Sequence, residues 1–363
     1  MKVLISGVCG FVGSTLAEAL LDNDSGCDIT GFDNFSRPGS SLNVERLRKR
    51  GIKVRHADVR CVSDVDAFSS VHWIIDAAAN PSVLAGMDGT TSSRQLIEHN
   101  LYGTVNLLEY AKRHGAGFVL LSTSRVYSVK ALAQIPVTAV GDTFALDDEA
   151  TLPQGTTRDG ITEEFSTTPP LSLYGSSKLA SECIALEYGD AFDFPVWINR
   201  CGVLAGGGQF GHAEQGIFSY WINAWLRRRP LRYLGFDGRG RQCRDCFHPR
   251  DLVPLLEKQF AAGVSAKPRV VNLGGGRANA ISLAQLSDWC SNRFGAHDVV
   301  SDPTPRQFDV PWLVMDSKLA QQLWDWRPTR SLEQIFDEIA AHAESHPDWL
   351  EISAPPDFPG STR

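Results

Sequence analysis

No stretch of this 363-residue chain stays apolar long enough to cross a bilayer. The opening "MKVLISGVCGFVG" is apolar but short, is broken by Gly7 and Gly10, and leads to no A-x-A-like cleavage signal. It reads as the first strand of the fold and the protein as cytoplasmic. Basic residues are in the minority, 35 against 42 acidic, for a net charge of −7. No basic stripe offers a footprint for nucleic acid and no polybasic segment offers one for a membrane surface. The eight cysteines form no small disulfide framework. Cys243 and Cys246 make a C-x-x-C with His248 nearby, but no second pair completes a zinc pattern, so no metal is expected. There is no internal repeat.

Against these absences stands a regular alternation. "KVLISG", "CDITGFDNF", "IKVRHADV", "VHWIIDAAA", "FVLLSTS" and "PVWINR" read as strands, with helical patterns between them, the longest at "SSRQLIEHNLYGTVNLLEYAKRHG". Strands alternating with helices predict an α/β fold, a Rossmann-type doubly wound parallel sheet. From Ser128 to about Pro170 the pattern dissolves into Thr, Asp, Gly and Pro, a loop long enough to suggest function. From Cys201 onward, shorter elements suggest a smaller α/β substrate-binding lobe. The expected division is 1–200 for the Rossmann domain with 245–276 returning to it, 201–244 and 277–350 for the lobe, and 351–363 for a Pro/Gly-rich tail.

"SGVCGFVG" sets Gly7, Gly10 and Gly13 between a strand and a helix. Glycines let the backbone approach a pyrophosphate, and the helix N-terminus presents free N–H groups and the positive end of its dipole. Asp33 ends the next strand twenty residues on, where a carboxylate can accept the hydroxyls of an adenosine ribose. That acid would repel a 2′-phosphate, which favours NAD over NADP. Asp58 ends the third strand, where adenine would lie.

"YGSSK" sets Tyr174 and Lys178 four apart, on one face of a helix. A free phenol, with a pKa near 10, is a poor base at neutral pH. A nearby ammonium and the positive ring of an oxidised nicotinamide would stabilise its phenolate. Thr123, in the hydroxyl-rich strand end "LSTS", can bond the same substrate oxygen. Thr123, Tyr174 and Lys178 are therefore the candidate catalytic set for moving a hydroxyl proton while hydride leaves carbon.

With "GVCGFVG", "FDNFSR", "ADV", "AAA", "NLYGTVNLLE", "STSRVYS", "YGSSK", "GRGRQCRDCFHPRDL" and "NLGGG" in this order over nearly the whole chain, the sequence resembles the extended short-chain dehydrogenases/reductases, specifically the nucleotide-sugar epimerases and dehydratases. The resemblance implies NAD and a nucleotide-diphosphate sugar. It carries cofactor contacts onto Gly7, Gly10, Phe11, Val12, Gly13, Asp33, Asn34, Asp58, Val59, Ala77, Ala78, Ala79, Asn100, Ser122, Tyr174 and Lys178. It makes Arg244 and Arg306 diphosphate contacts; the plainer alternative for either is a surface salt bridge. Two positions depart from the family pattern: Asp76 stands where His is frequent, and Val203 where an Asn contacts the sugar.

Members that eliminate water carry Asp-Glu after the threonine, and decarboxylating members carry Glu where Arg125 stands. Here those places hold Ser124 and Arg125, and arginine cannot serve as an acid or base near neutral pH. Plain epimerisation is therefore expected, unless Arg125 simply points away and pairs with an acid. "DGITEEFS" and "GGGQFGHAEQGIFSYW" liken the chain to the CDP-paratose 2-epimerases and imply substrate contacts at Gln209, Phe210, Gln215 and Gly216 besides Ser124 and Arg125. The alternatives are a UDP-sugar 4-epimerase, a reductase, and a non-catalytic NAD-sensing protein. The helices around Ser93–Lys112 and Ser172–Tyr188 carry apolar positions beyond what one sheet face needs; in the family this pair forms a homodimer interface.

Overall fold

The runs Val3–Ile5, Ile74–Ile75 and Phe118–Leu120 are inaccessible at every position. Strands covered on both faces by helices must read this way, apolar without alternation. The computed structural model describes residues 1–87, 92–264 and 268–354. Seven parallel strands form the central sheet in the order Val270–Leu273, Val196–Cys201, Gly117–Thr123, Trp73–Asp76, Lys2–Ser6, Asp28–Asp33, Lys53–His56. Strand order reverses between Lys2–Ser6 and Trp73–Asp76, so a crevice opens at their carboxyl ends, where such sheets bind ligands. One apolar cluster fills each face of the sheet, the first around Leu16, Leu20 and Trp197 and the second around Leu107, Phe118 and Ile198.

The smaller lobe is built on Cys243–Phe247, which pairs with Val203–Leu204, Ala280–Ser282 and Trp312–Leu313. Its core gathers Phe218, Trp221 and Ile222 of one helix against Ile335, Phe336 and Ile339 of another. Cys243 and Cys246 are buried on its central strand, and burial pushes both thiols up.

The boundaries differ in detail from the sequence reading. Position 245 falls inside a lobe strand, and only from His248 does the chain turn back onto the first helix of the Rossmann unit. Lys318–Trp324 lies in the span expected for the lobe, yet Ala320, Trp324 and Trp326 pack into the main core; the Trp324 and Trp197 rings meet at right angles with centroids 4.9 Å apart. An amphipathic helix declares an apolar face but not which sheet will cover it. The expected long loop holds a short helix, Val129–Ala133, a hairpin of Val137–Val140 with Thr143–Leu146, and the pair Thr156–Thr157 with Gly160–Ile161. Such short strands leave too few residues for a readable alternation. Of the expected tail, residues 355–363 lie outside the described residues. Residues 351–353 complete a helix, Trp349–Ser353, whose Trp349 stacks on Phe210.

The helix starting at Ser93 is interrupted. Glu98–Tyr102 is a π-helical turn before the α-helix resumes at Gly103. The wider turn leaves the Asn100 carbonyl shared by the Thr104 and Ser181 hydroxyls, and π-turns of this kind recur at functional sites. Gly103 follows because a Cβ there would sit 2.6 Å from Val59.

Candidate active site

The glycine loop is a backbone cradle at the switch point. Gly7 has φ +64°, a left-handed conformation that favours glycine. A Cβ on Gly13 would lie 2.2 Å from the Gly7 carbonyl oxygen, so the helix Phe11–Asn23 can start this close only with glycine there. Its N-terminus is open to an anion: Gly10, at the N-cap, has no capping side chain. Val12 lies in the first turn of that helix and packs against the core. A glycine loop packed this tightly under an uncapped helix N-terminus fits a dinucleotide pyrophosphate.

The acids sit beside it. Asp33 is buried at its strand end and accepts N–H groups from Cys9, at 3.1 Å, and Phe35, at 2.8 Å. Burial raises its pKa, opposed by those backbone bonds. Asp58 takes the Asn34 amide at 3.1 Å and a two-pronged grip from Arg60. Partial burial works against its charge, but the Arg60 bonds hold it well below the usual carboxylate range. Asp76 accepts Ser6 at 2.8 Å and Thr104 at 2.7 Å, and Ser6 in turn takes the N–H groups of Ala77 and Ala78. Asp76 thus fixes the strand end that leads through Ala79 to the crevice.

Two expected cofactor contacts are turned elsewhere. The Asn100 amide is engaged with both backbone groups of Asn80 and with Ser177, so it braces the crevice wall instead of offering a free donor. The Ser122 hydroxyl donates to Glu182. Glu182 follows Tyr174 and Lys178 at successive four-residue steps and forms a buried ion pair with Arg200 at 2.7 Å. Arg200 also donates to the Tyr127 hydroxyl at 3.3 Å, which donates to Asn272 at 2.7 Å. Sequence reading missed this spine; the four-residue step from Lys178 was its one visible signal.

Tyr174 and Lys178 lie in the first turns of the helix Leu173–Phe192, capped by the Ser172 hydroxyl on the Gly175 N–H at 3.0 Å. Gly175 is forced: its Cβ would lie 2.1 Å from the Arg125 carbonyl oxygen. This close approach sets Tyr174, the residue before Gly175, beside the strand end that carries Thr123, whose hydroxyl acts on the phenol. Thr123 also accepts the Arg125 N–H at 3.2 Å. Burial pushes the phenol up to about 12, opposed by the Thr123 bond and by the Arg125 charge. Lys178 is almost wholly enclosed, and burial lowers its pKa against the pull of Asp76 and Glu182.

Arg125 does not point away. Ser124 and Arg125 form a 3-10 turn at the end of the central strand, and the Arg125 guanidinium donates to the Phe308 carbonyl at 3.2 Å. Burial, together with the charges of Arg244 and Arg306 and partly offset by Asp309, lowers its pKa to about 10. Arg244 donates to Asp309 at 3.0 Å and to the Val310 carbonyl at 2.8 Å.

The expected contacts in 209–216 form a strap across the two units. A Cβ on Gly206 would lie 2.6 Å from the His248 ring and 3.1 Å from Phe11, so the strap passes close to both. Glu338 accepts the Gly207 N–H and pairs with the His248 ring, each at 3.1 Å. Arg37 donates to the Phe210 carbonyl and, at 2.6 Å, to the Gln215 side chain. Phe210 is buried against Trp349 and Gly39, so it anchors the strap and leaves no face for substrate. Gln209 donates to the Leu204 carbonyl at 2.8 Å, and Gly216, at φ +69°, starts the next helix. Arg37, His248 and Glu338 were not readable from sequence, because their partners lie far along the chain.

Comparison with known proteins agrees with this geometry. A CDP-paratose 2-epimerase of Salmonella typhi is 29% identical over 361 residues, covering 93% of this chain and 98% of its own. A UDP-glucuronate 4-epimerase of Thermodesulfobacterium geofontis is 25% identical, covering 91% and 92%. The structure of UDP-glucose 4-epimerase from Bifidobacterium longum with NAD⁺ and UDP superposes with a TM-score of 0.76 at 20% identity, over 96% of this chain and all of that one. The model of the NAD dependent epimerase/dehydratase family matches residues 3–274. With its glycine cradle fitted to that cofactor and its Thr–Tyr–Lys set beside it, the chain belongs to the NAD dependent epimerase/dehydratase family.

Proposed function

We propose that the protein inverts one hydroxyl-bearing carbon of a nucleotide-diphosphate sugar, as a CDP-paratose 2-epimerase does. The observation that carries this is the packing of Gly175, next to Tyr174, directly on the Arg125 carbonyl, which sets the phenol's helix start against the Thr123 strand end with Arg125, not an acid, beside it. NAD, held at the Gly7–Gly13 loop, would supply the hydride acceptor and donor. Thr123 holds the substrate hydroxyl against the Tyr174 oxygen. Tyr174 takes its proton and later gives it back, the positive charges of Lys178 and Arg125 favouring the phenolate between the two events. Asp33 and Asp58 hold the adenosine end, and Arg244 and Arg306 the sugar nucleotide's phosphates. Residues 1–200 with 248–276 act as the cofactor unit and the remainder chiefly as the sugar-nucleotide lobe. No acid at position 124 or 125 is available to eliminate water or remove a carboxyl group.

The protein acts in the cytoplasm as a homodimer. Among the described residues no helix is long and apolar enough to cross a membrane. Tyr102, 60% exposed at the π-turn beside the helix Gly103–His114, marks the face for the partner copy. Light scattering at micromolar concentration should give about twice the chain mass.

Turnover of CDP-paratose in deuterated water tests the route. Hydride that leaves and returns within the site never equilibrates with solvent, so product without carbon-bound deuterium is expected. One deuterium gained at the inverted carbon per turnover would refute it. The second reading, a UDP-sugar 4-epimerase, draws on relatives such as the Thermodesulfobacterium UDP-glucuronate 4-epimerase. A parallel assay with UDP-glucose and UDP-glucuronate separates the two.

A further inference from the structure

We infer that Arg125 is a third phosphate ligand, gripping with Arg244 and Arg306 the phosphate that carries the sugar. This rests on the nucleotide-diphosphate-sugar reading above. The geometry centres on one turn, Arg306–Val310. Arg125 donates to the carbonyl of Phe308 and Arg244 to that of Val310. The turn is closed by the Asp309 N–H on the Arg306 carbonyl, at 3.3 Å. Phe308 holds φ +58°, a strained conformation for a residue with a side chain, and such strain persists where the surroundings impose it. Two guanidinium groups are thus bound to one turn, and Arg306, which begins it, is near enough for its charge to act on Arg125.

The carboxylate there is Asp309, and it is already used. Its Oδ1 accepts Arg244 and the Val310 N–H, and its Oδ2 accepts Gln242 at 3.1 Å. Three cations set against one anion leave an excess of two positive charges, the complement of a sugar-nucleotide diphosphate, which carries two negative charges. Guanidinium forks suit phosphate oxygens, and a partly dry site strengthens each such bond.

Arg125 differs from its two companions in position. It lies two residues beyond Thr123, donates its own N–H to the Thr123 hydroxyl, and lays its carbonyl against Gly175, next to Tyr174. A phosphate gripped here is next to the phenol that takes the substrate's hydroxyl proton. The sugar hydroxyl nearest a glycosyl phosphate is the one on the carbon beside the anomeric carbon. Arg125 therefore gives inversion at that carbon a physical basis, whereas a hydroxyl across the ring would need phosphate and phenol farther apart.

The test compares nucleotides with one and two phosphates on the NAD-loaded protein, by calorimetry: CDP with CMP, or UDP with UMP, whichever pair the wild type binds more tightly. Arg125→Gln should weaken the diphosphate about tenfold to a hundredfold and leave the monophosphate unchanged. Arg125→Lys, which keeps the charge but not the fork, should fall between. NAD retained per chain reports whether the Gln variant is folded; if it is not, Arg125→Lys carries the comparison. Unchanged diphosphate affinity, or an equal loss for both nucleotides, overturns the role of Arg125. Failure of the wild type to bind either diphosphate overturns the sugar-nucleotide reading instead.

Discussion

The cofactor cradle and the Arg306–Val310 turn face the same crevice but are built on opposite plans. In the cradle, polar groups are satisfied within the protein: Asp33 holds two N–H groups, Asp58 holds Arg60, and Asp76 closes on Ser6 and Thr104. Its shape is set by backbone approach at Gly7 and Gly13. At the turn, charge is left over, with Arg125, Arg244 and Arg306 around a single spoken-for carboxylate. A preformed, internally bonded cradle suits a group that stays bound through many turnovers. A surplus of positive charge suits an anion that must arrive and leave, because charge raises capture rates more than it deepens affinity. Thr123 and Tyr174 lie where the two plans meet.

Removing the joining group should have the largest effect. Tyr174→Phe deletes the proposed proton carrier and leaves cradle and turn intact. Turnover should fall by about 10²–10⁴ while NAD stays bound, since positioned acid–base groups contribute about that much. Retained activity with a Phe at 174 would remove the phenol from the mechanism.

The spine beneath the site should matter next, for stability before rate. Glu182→Ala leaves the enclosed Arg200 guanidinium and the Ser122 hydroxyl without their partner. Breaking a buried pair by removing one member costs about 3–5 kcal/mol. Denaturant unfolding should show a loss of that order. A loss under about 1 kcal/mol would mean that water or Tyr127 takes over from Glu182.

On the cradle side, Asp33→Ala should weaken NAD about tenfold to a hundredfold and relax its preference over NADP. The change should leave CDP affinity alone, because Asp33 lies in the cofactor cradle and makes no bond to the Arg306–Val310 turn. Calorimetry showing that the wild type takes NADP as readily as NAD would be incompatible with the role given to Asp33.

The same contrast explains what could be read from sequence. The cradle was legible because its parts are local: three glycines within seven residues, an acid at each strand end, and Tyr174 and Lys178 one helical turn apart. The arrangement of the turn was not. Arg125 meets Phe308 across 183 positions, and nothing in "STSRVYS" says whether its side chain faces the crevice. The strap depends on Arg37 reaching Phe210, 173 positions away, and on Glu338 reaching Gly207 across 131. Asn100 and Ser122 were placed on the right elements, but their side chains were claimed by Asn80, Ser177 and Glu182. Motif position locates an element end, and packing decides what the side chain there is free to touch.

The smallest effect should be a displacement in pH, and it probes the meeting of the two plans most directly. Burial pushes the Tyr174 phenol up to about 12, while the Thr123 bond and the positive charge of Arg125 draw it down. A cation stabilises a phenolate over a phenol, so removing it raises the pKa. The base must be ionised to accept the substrate proton. The acid limb of kcat/KM against pH therefore reports its ionisation in the NAD-loaded protein, and activity rises as pH passes upward through it. In Arg125→Gln that limb should move to higher pH, and in Arg125→Lys it should stay near the wild-type position. Raising the salt concentration should move the limb little, because the Arg125 charge acts within a buried site where ions screen poorly. A limb unchanged in Arg125→Gln would mean that the surplus charge of the turn serves the phosphate alone and that the phenol is tuned from the Lys178 side.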